Sequence, residues 1–244
     1  MSEINDIMTF FASIMTMPFP RMRHTNELLL AVQSAVVAIE MRFKDAMACR
    51  RPSEFSPQDQ PLIVTPGHSS LPSGHATESF AVATVMRALA IHRESAQATA
   101  GGASGPSATH TEIQLMRQAY RIAVNRTVAG VHFPVDSAAG AYLGMALGRY
   151  FVQRFQKASD APEVVDWTVD SYVFNGPAYS STAMPGVSPD FIPALAEATL
   201  ESGGASETNA ENPAYVREDN PIQITGTGSA ELGLLWKNAL DEWR

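Results

Sequence analysis

A loop rich in proline and glycine runs directly into an apolar helix at residues 66–91, which read PGHSSLPSGHATESFAVATVMRALAI. The run from Pro52 to Leu71 contains spaced prolines and no sustained helical period, so we predict a loop there. From about Gly74 to Ile91, apolar residues recur at helical spacing and predict a packed helix. These residues are Phe80, Val82, Val85, Met86 and Leu89.

The junction between this loop and the helix, Pro72-Ser73-Gly74-His75, has the features of an anion site. The first amides of a helix lack partners within it, and a serine hydroxyl beside them adds a further donor. Glycine lets a ligand approach the backbone, and His75 at the rim could exchange protons near neutral pH. A serine cap with an incidental histidine explains the same residues, so the junction alone leaves both interpretations open.

Three more helices are predicted around this one, and we therefore expect an all-α fold built as a helical bundle. The first begins at Thr25, a candidate N-cap, and should end before Pro52. The others span about Thr111 to Val128 and about Asp136 to Phe155, with a turn through Gly130 between them. The core of the protein should therefore be helical.

Glycine recurs every four residues in the last of these helices, at Gly140, Gly144 and Gly148. Each glycine costs a helix roughly 1 kcal/mol relative to alanine, so we expect a neighbouring helix to approach closely along this face. Between the second and third helices, the stretch Ser95 to Thr109 is rich in glycine, alanine and serine and predicts a mobile surface loop.

The overall charge and composition exclude several kinds of partner. With 25 acidic and 17 basic side chains, the net charge of −8 argues against a surface that binds nucleic acid or anionic membranes. A single cysteine, Cys49, excludes a disulfide framework and a multi-cysteine zinc site. We find neither a signal-peptide layout nor an apolar run of membrane-spanning length, so we expect a soluble, cytoplasmic protein. Any bound anion should be held locally.

Two further clusters carry residues suited to an oxyanion. Lys44 and Arg51 lie seven residues apart and could neutralise a multiply charged anion, although basic residues near a helix end also serve the helix dipole. His132 and Asp136 lie four residues apart, so the carboxylate can hold one imidazole nitrogen and leave the other facing a cavity. Arg126 could reach the same cavity from the preceding helix. A surface His–Asp pair is the alternative interpretation.

In chain order, the three clusters read Lys-x6-Arg-Pro, Pro-Ser-Gly-His and Arg-x5-His-x3-Asp. This order resembles the three-part signature of the type 2 phosphatidic acid phosphatase and vanadium-dependent haloperoxidase superfamily. All charged and imidazole positions of the signature are filled, over about Thr25 to Phe155. One departure is Asn125, which stands where many members have serine. The resemblance implies an all-helical bundle of the acid phosphatase and vanadium haloperoxidase type.

The resemblance also implies a role for each motif residue. It makes His132 the attacking or vanadate-ligating imidazole, Asp136 the residue that orients it, and His75 the general acid and base. The residues expected to grip the oxyanion are Lys44, Arg51, Ser73, Gly74 and Arg126.

These residues fit two reactions, because phosphate and vanadate are both tetrahedral oxyanions that accept a fifth ligand. In a phosphatase, which needs no cofactor, His132 attacks a phosphoester, His75 protonates the leaving alcohol, and water cleaves the phosphohistidine. In a haloperoxidase, His132 ligates vanadate as the cofactor, and hydrogen peroxide and a halide are the substrates. The motif residues alone do not separate the two.

We expect the haloperoxidase reaction, because the lipid phosphatases of the family that this chain resembles are normally membrane-embedded and the related bacterial acid phosphatases are normally exported. This chain shows neither a span nor a signal. His68, seven residues before His75, falls where bromide-using members carry a second histidine that could modulate bound peroxide. A solvated loop histidine is the alternative, and Met41 stands where an aromatic residue would be more typical of a haloperoxidase. A non-catalytic oxyanion-binding protein is least favoured, because both motif histidines and Asp136 are present.

We divide the chain into an N-terminal segment (1–24), an oxyanion-binding catalytic domain (25–157) and a less regular C-terminal extension (158–244). Larger haloperoxidases carry a further helical bundle upstream, so we also predict a homodimer whose second subunit supplies partner helices.

Within the extension, residues 164–174 alternate as a strand or extended arm does, and residues 201–212 are polar and should be loose. The extension ends in an amphipathic helix over 229–244, which could dock on the core or on a second subunit.

Overall fold

The structure is a computed structural model that describes residues 6–15, 17–18, 21–99, 108–160, 165–179, 208–209, 212–226 and 228–243. Its helices are α1 (Asp6–Ala12), α2 (Arg23–Met47), α3 (Pro52–Phe55), α4 (Gly74–Thr99), α5 (Ala108–Val128), α6 (Pro134–Asp160) and α7 (Ala230–Glu242). Its strands are β1 (Val165–Phe174), β2 (Thr208–Asn209) and β3 (Asn212–Gly226). The predicted helical bundle is confirmed. The first residues of the predicted 52–71 loop form the short helix α3 instead.

Helix α4 lies in the core of the bundle. All five apolar residues predicted to pack from it are fully buried. The helix is longer than predicted, because residues 95–99 continue it, and α5 begins at Ala108. The prediction of a surface loop over 95–109 is therefore wrong at both ends. The alanine and glutamine residues there are good helix formers, which favours the longer helices. Residues 100–107 lie outside the described residues.

The glycine face of α6 packs directly on α4. A Cβ at Gly140 would lie 2.6 Å from the carbonyl oxygen of Ser73, and a Cβ at Gly144 would lie 2.3 Å from that of Thr77. No side chain fits at such distances, so the predicted close approach is confirmed. It brings the first turns of α6, which carry Asp136, against the start of α4.

The N-terminal end of α2 is capped from the far end of the chain. Thr25 lies inside the helix and is fully buried, so its predicted N-cap role is wrong. The backbone amides of His24 and Thr25 and the Thr25 hydroxyl donate to the carboxylate of Glu242, each at 2.8 Å. The Trp243 indole donates to Thr25 Oγ1 at 3.0 Å. Helix α7 therefore docks on the core of its own chain.

The C-terminal extension contains an antiparallel sheet with the order β1-β3-β2. The predicted strand over 164–174 is confirmed as β1, whereas β3 was not predicted. Tyr142 of α6 donates to the carbonyl oxygen of Val216 at 2.7 Å, and its ring packs against that of Tyr215. The sheet thus lies against α6. Of the stretch predicted to be loose, 201–207 and 210–211 lie outside the described residues.

No helix among the described residues combines the length and apolarity required to cross a membrane.

Candidate active site

A cavity of about 350 Å³ lies where α2, the start of α4 and the end of α5 meet. Its walls include six residues that the sequence analysis selected: Arg51, His68, Gly74, His75, Arg126 and His132. All of them except His68 belong to the three motifs, so the fold gathers these distant segments around one space. Arg51, Arg126 and His132 are at most 9% exposed, which shields their charges and hydrogen bonds from solvent.

Three other predicted residues lie behind the cavity wall. The Lys44 ammonium donates to the carbonyl oxygens of Ser69, at 3.3 Å, and of Pro72, so it supports the segment leading into α4. Ser73 is fully buried, and its hydroxyl has no hydrogen-bond partner among the described residues. Asp136 lies behind His132.

The guanidinium of Arg51 is fixed by backbone carbonyls. Its Nε donates to the oxygen of His68 at 3.0 Å, and its Nη1 donates to that of Val131 at 2.8 Å. The same Nη1 lies 3.3 Å from Nε2 of His132, and Nη2 lies 3.2 Å from Nδ1 of His68. The arginine is thus positioned between the two imidazoles before any ligand binds.

A tight turn carries His132 into the cavity wall. Helix α5 ends at Val128, and Gly130 adopts a left-handed conformation with φ of 74°, which favours glycine. The Val131 amide then donates back to the carbonyl oxygen of Arg126 at 3.2 Å. Pro134 begins α6, as suits a first helical position. The turn therefore fixes His132 between the end of α5 and the start of α6.

His132 is held in one orientation by a carboxylate. Its Nδ1 lies 3.2 Å from Oδ2 of Asp136, and that oxygen also accepts from the Phe133 amide at 2.9 Å and from the Ser70 hydroxyl. The carboxylate favours the tautomer with the proton on Nδ1, which leaves the Nε2 lone pair facing Arg51. Burial lowers the pKa of His132 to about 4, against the opposing effect of Asp136. The imidazole is therefore neutral at physiological pH.

Ser70 received no role in the sequence analysis. Its hydroxyl is fully buried, donates to Asp136 and lies 3.3 Å from Nδ1 of His132. No sequence pattern distinguishes Ser70 from the neighbouring Ser69, although the Ser69 hydroxyl has a different partner and accepts a hydrogen bond from the Cys49 amide. The difference arises only from the path of the loop over α6.

His75 lies at the boundary between two cavities. It and Arg126 line the cavity described above and also a second one of about 360 Å³, whose other walls come from α1 and α5. His132 lines only the first. Burial, followed by the charges of Arg126 and His132, lowers the pKa of His75 to about 3. In the absence of an anion, His75 is therefore neutral.

Two buried carboxyl groups that the sequence analysis did not select also line the first cavity. Glu40 of α2 and Glu78 of α4 are each 4% exposed. Glu78 accepts a hydrogen bond from Gln33 at 2.8 Å. Burial raises the pKa of both groups, and in Glu40 the nearby Glu78 adds to this effect. Both glutamates lie on helix faces that also carry core residues, and this position in the sequence could have predicted their burial.

The surroundings of the cavity suit an anion better than a metal cation. Among the described residues, no group of three or more histidine, cysteine, aspartate or glutamate side chains is arranged to hold a metal ion. Two arginines line the cavity and can donate to an anion, and the buried Ser73 hydroxyl behind its wall has no hydrogen-bond partner among the described residues. A tetrahedral oxyanion fits this set of donors.

The family model of the PAP2 superfamily matches residues 24–160. This is more than half of the chain and includes all three motifs, so the chain belongs to the PAP2 superfamily, as its resemblance predicted. Among solved structures, the chain is similar to the first transmembrane PAP2 type phosphatidylglycerolphosphate phosphatase from Bacillus subtilis. The two share 21% sequence identity with a TM-score of 0.43, over 63% of this chain and 67% of that one. No curated protein sequence matches the chain.

Proposed function

We propose that the protein hydrolyses phosphomonoesters through a phosphohistidine at His132. The observation that carries this proposal is the arrangement of one imidazole between two fixed partners. Asp136 holds Nδ1, and Nε2 lies 3.3 Å from the Arg51 guanidinium. A neutral nucleophile beside a cation is suited to attack a phosphoryl group, because the cation stabilises the charge on the equatorial oxygens.

The reaction has two steps. Nε2 of His132 forms a bond to phosphorus while the bond to the alcohol oxygen breaks, and His75 gives its proton to that oxygen. Water then attacks the phosphohistidine, His75 takes a proton from the water, and inorganic phosphate leaves with neutral His132 restored. Although His75 is neutral in the empty site, a bound phosphoester anion opposes the nearby cations, so we expect substrate to raise its pKa.

The two cavities suggest where the alcohol lies. In an in-line displacement, the leaving group departs opposite the attacking nitrogen. His75 lines both cavities, whereas His132 lines only the first of the two, and we therefore infer that the second cavity receives the leaving group. The N-terminal helix α1 contributes Ile7 and Phe10 to that cavity, and Ser13 follows directly after the helix.

The family match fits this phosphatase reaction better than the haloperoxidase reaction that the sequence analysis favoured. Vanadate, which that interpretation requires as a cofactor, would be held by the same arginines and by His132. In a phosphatase it mimics the phosphoryl group, and we therefore expect it to inhibit. His68 then serves as a partner of Arg51 in this proposal.

The test is a paired assay on one preparation. We expect hydrolysis of p-nitrophenyl phosphate, its inhibition by vanadate, and a phosphohistidine that is trapped by rapid quenching in alkali and lost in His132→Ala. Replacement of the exposed His110 by alanine is the matched control. Peroxide-dependent bromination after vanadate loading, without phosphatase activity, would establish the haloperoxidase instead. Absence of both activities with vanadate binding retained would favour the non-catalytic oxyanion-binding alternative.

A further inference from the structure

Glu40 occupies an unusual position for a carboxyl group, since it lines a cavity built for an anion. The side chain is 4% exposed, and its Oε2 atom is buried without a hydrogen-bond partner among the described residues. The other oxygen lies against Gly74, where a Cβ would be only 2.5 Å from Oε1. The glycine of the Pro-Ser-Gly-His motif thus leaves room for this carboxyl group beside the first amides of α4.

Charged and titratable groups face this cavity from every element around it. They are Glu78 and His75 of α4, Arg51 and His68 of the segment between α2 and α4, Arg126 of α5, and His132 of the following turn. Lys44 follows Glu40 by one turn of α2, but its ammonium donates to the carbonyl oxygens of Ser69 and Pro72. No ion pair between Glu40 and a described cation accounts for its burial.

We propose that Glu40 is a further binding residue of this site: its protonated carboxyl group donates a hydrogen bond to an oxygen of the bound phosphoryl group, and its ionised form excludes the anion. This inference rests on the oxyanion site of the proposed function and adds a protonation requirement to it. A protonated carboxyl group supplies both a donor and a neutral charge, whereas a carboxylate accepts only and repels phosphate.

The electrostatic surroundings of Glu40 agree with this role. Burial and the neighbouring Glu78 raise its pKa to about 8, against the opposing effect of Lys44. The group is therefore protonated at neutral pH and ionises at alkaline pH. Burial also lowers the pKa of Lys44 to about 8, so this nearby cation loses its charge in the same range. Phosphate binding should weaken as the pH rises, because only the protonated form of Glu40 binds, and in Glu40→Gln only the contribution of Lys44 remains.

The experiment measures binding of inorganic phosphate by isothermal titration calorimetry from pH 6.5 to pH 9.5, without any turnover. Glu40→Gln keeps a hydrogen-bond donor but cannot ionise. We expect this variant to match the wild type at pH 6.5 and to bind phosphate about tenfold more tightly than the wild type at pH 9. The outcome does not depend on hydrolysis, so a failure of the proposed reaction and a failure of this inference are distinguishable.

Two outcomes would overturn the proposal. If Glu40 serves instead as an anion that keeps Lys44 charged, Glu40→Gln lowers the pKa of Lys44 and binds phosphate more weakly than the wild type at pH 9. Glu78→Gln is the matched control, because Glu78 is equally buried in the same cavity. An equal gain in that variant would assign the effect to the net charge of the cavity rather than to Glu40.

A spectroscopic measurement on folded wild-type protein complements the variants. In infrared difference spectra of protein with isotope-labelled glutamate, phosphate added at pH 9 should produce a protonated-carboxyl band. We expect the band in the wild type and in Glu78→Gln, and not in Glu40→Gln. Its absence from the wild type would contradict the proposal, even if Glu40→Gln failed to fold.

Discussion

The Oδ2 atom of Asp136 lies 3.2 Å from Nδ1 of His132 and also accepts hydrogen bonds from the Phe133 amide and the Ser70 hydroxyl. Three donors therefore converge on one buried oxygen. Because the carboxylate is fixed from three sides, it selects one tautomer and one orientation of the imidazole. The proposed reaction depends on this selection, since only the free Nε2 lone pair can attack.

Asp136→Asn should remove the negative charge behind the imidazole while keeping the shape of the side chain. The Phe133 amide and the Ser70 hydroxyl favour the amide oxygen at the Oδ2 position, so the contact to Nδ1 is kept, but the charge that stabilises the positive imidazole ring formed on attack is lost. We expect kcat for p-nitrophenyl phosphate to fall by about 10²- to 10⁴-fold. A circular dichroism spectrum checks that the fold is kept, and a folded variant with a nearly wild-type rate would remove Asp136 from the proposed role.

Ser70→Ala should lower kcat by about tenfold, because a partner that orients the carboxylate is lost. Ser69→Ala is a close control, since the Ser69 hydroxyl accepts from the Cys49 amide and makes no contact with Asp136 in the structure. Steady-state kinetics of the two variants, measured side by side, test the difference. Equal rates in both would show that the Ser70 contact does not matter for turnover.

The buried histidines should make stability depend on pH. The pKa of His75 is lowered from 6.5 to about 3, so between these values the unfolded chain binds more protons than the folded protein. The stabilising contribution of neutral His75 is thus fully present above pH 6.5 and is lost as the pH falls toward 3. Urea unfolding of the wild type and His75→Gln at pH 7.5 and pH 5 measures this contribution. We expect the wild type to lose more stability at pH 5 than the variant does, and parallel losses would contradict the assignment.

The sequence predicted those parts of the site that depend on local spacing. His132 and Asp136 are four residues apart across a turn, and Ser73 and Gly74 precede an apolar helix, so their geometry follows from one or two turns of backbone. The structure brings these motifs together, as their order along the chain implied.

Other parts could not be predicted because distant residues determine them. The sequence pattern indicated that Thr25 is an N-cap. Its backbone amide instead donates a hydrogen bond to the carboxylate of Glu242, 217 residues away. Glu40 looks like an ordinary helix glutamate, and its burial depends on the packing of α2 against Gly74. A residue's distance from solvent is a property of the assembled bundle rather than of its own helix.

The close packing of α6 on α4 gives a last prediction, on stability and on the site together. A Cβ at Gly144 would lie 2.3 Å from the backbone oxygen of Thr77, and no change of rotamer relieves a contact with backbone. Gly144→Ala must therefore move the two helices apart, which we expect to lower the free energy of unfolding by about 1–3 kcal/mol. Because the Ser73 amide donates to the carbonyl oxygen of Asp136 at 2.9 Å across the same interface, kcat/KM should fall as well.

Gly67→Ala is the control, since a Cβ there meets nothing within 4 Å, and its effect on the free energy of unfolding should stay within about 0.5 kcal/mol. Urea unfolding measures the free energy of unfolding of both variants, and phosphatase assays measure their kcat/KM. Similar stabilities would show that the interface tolerates a methyl group.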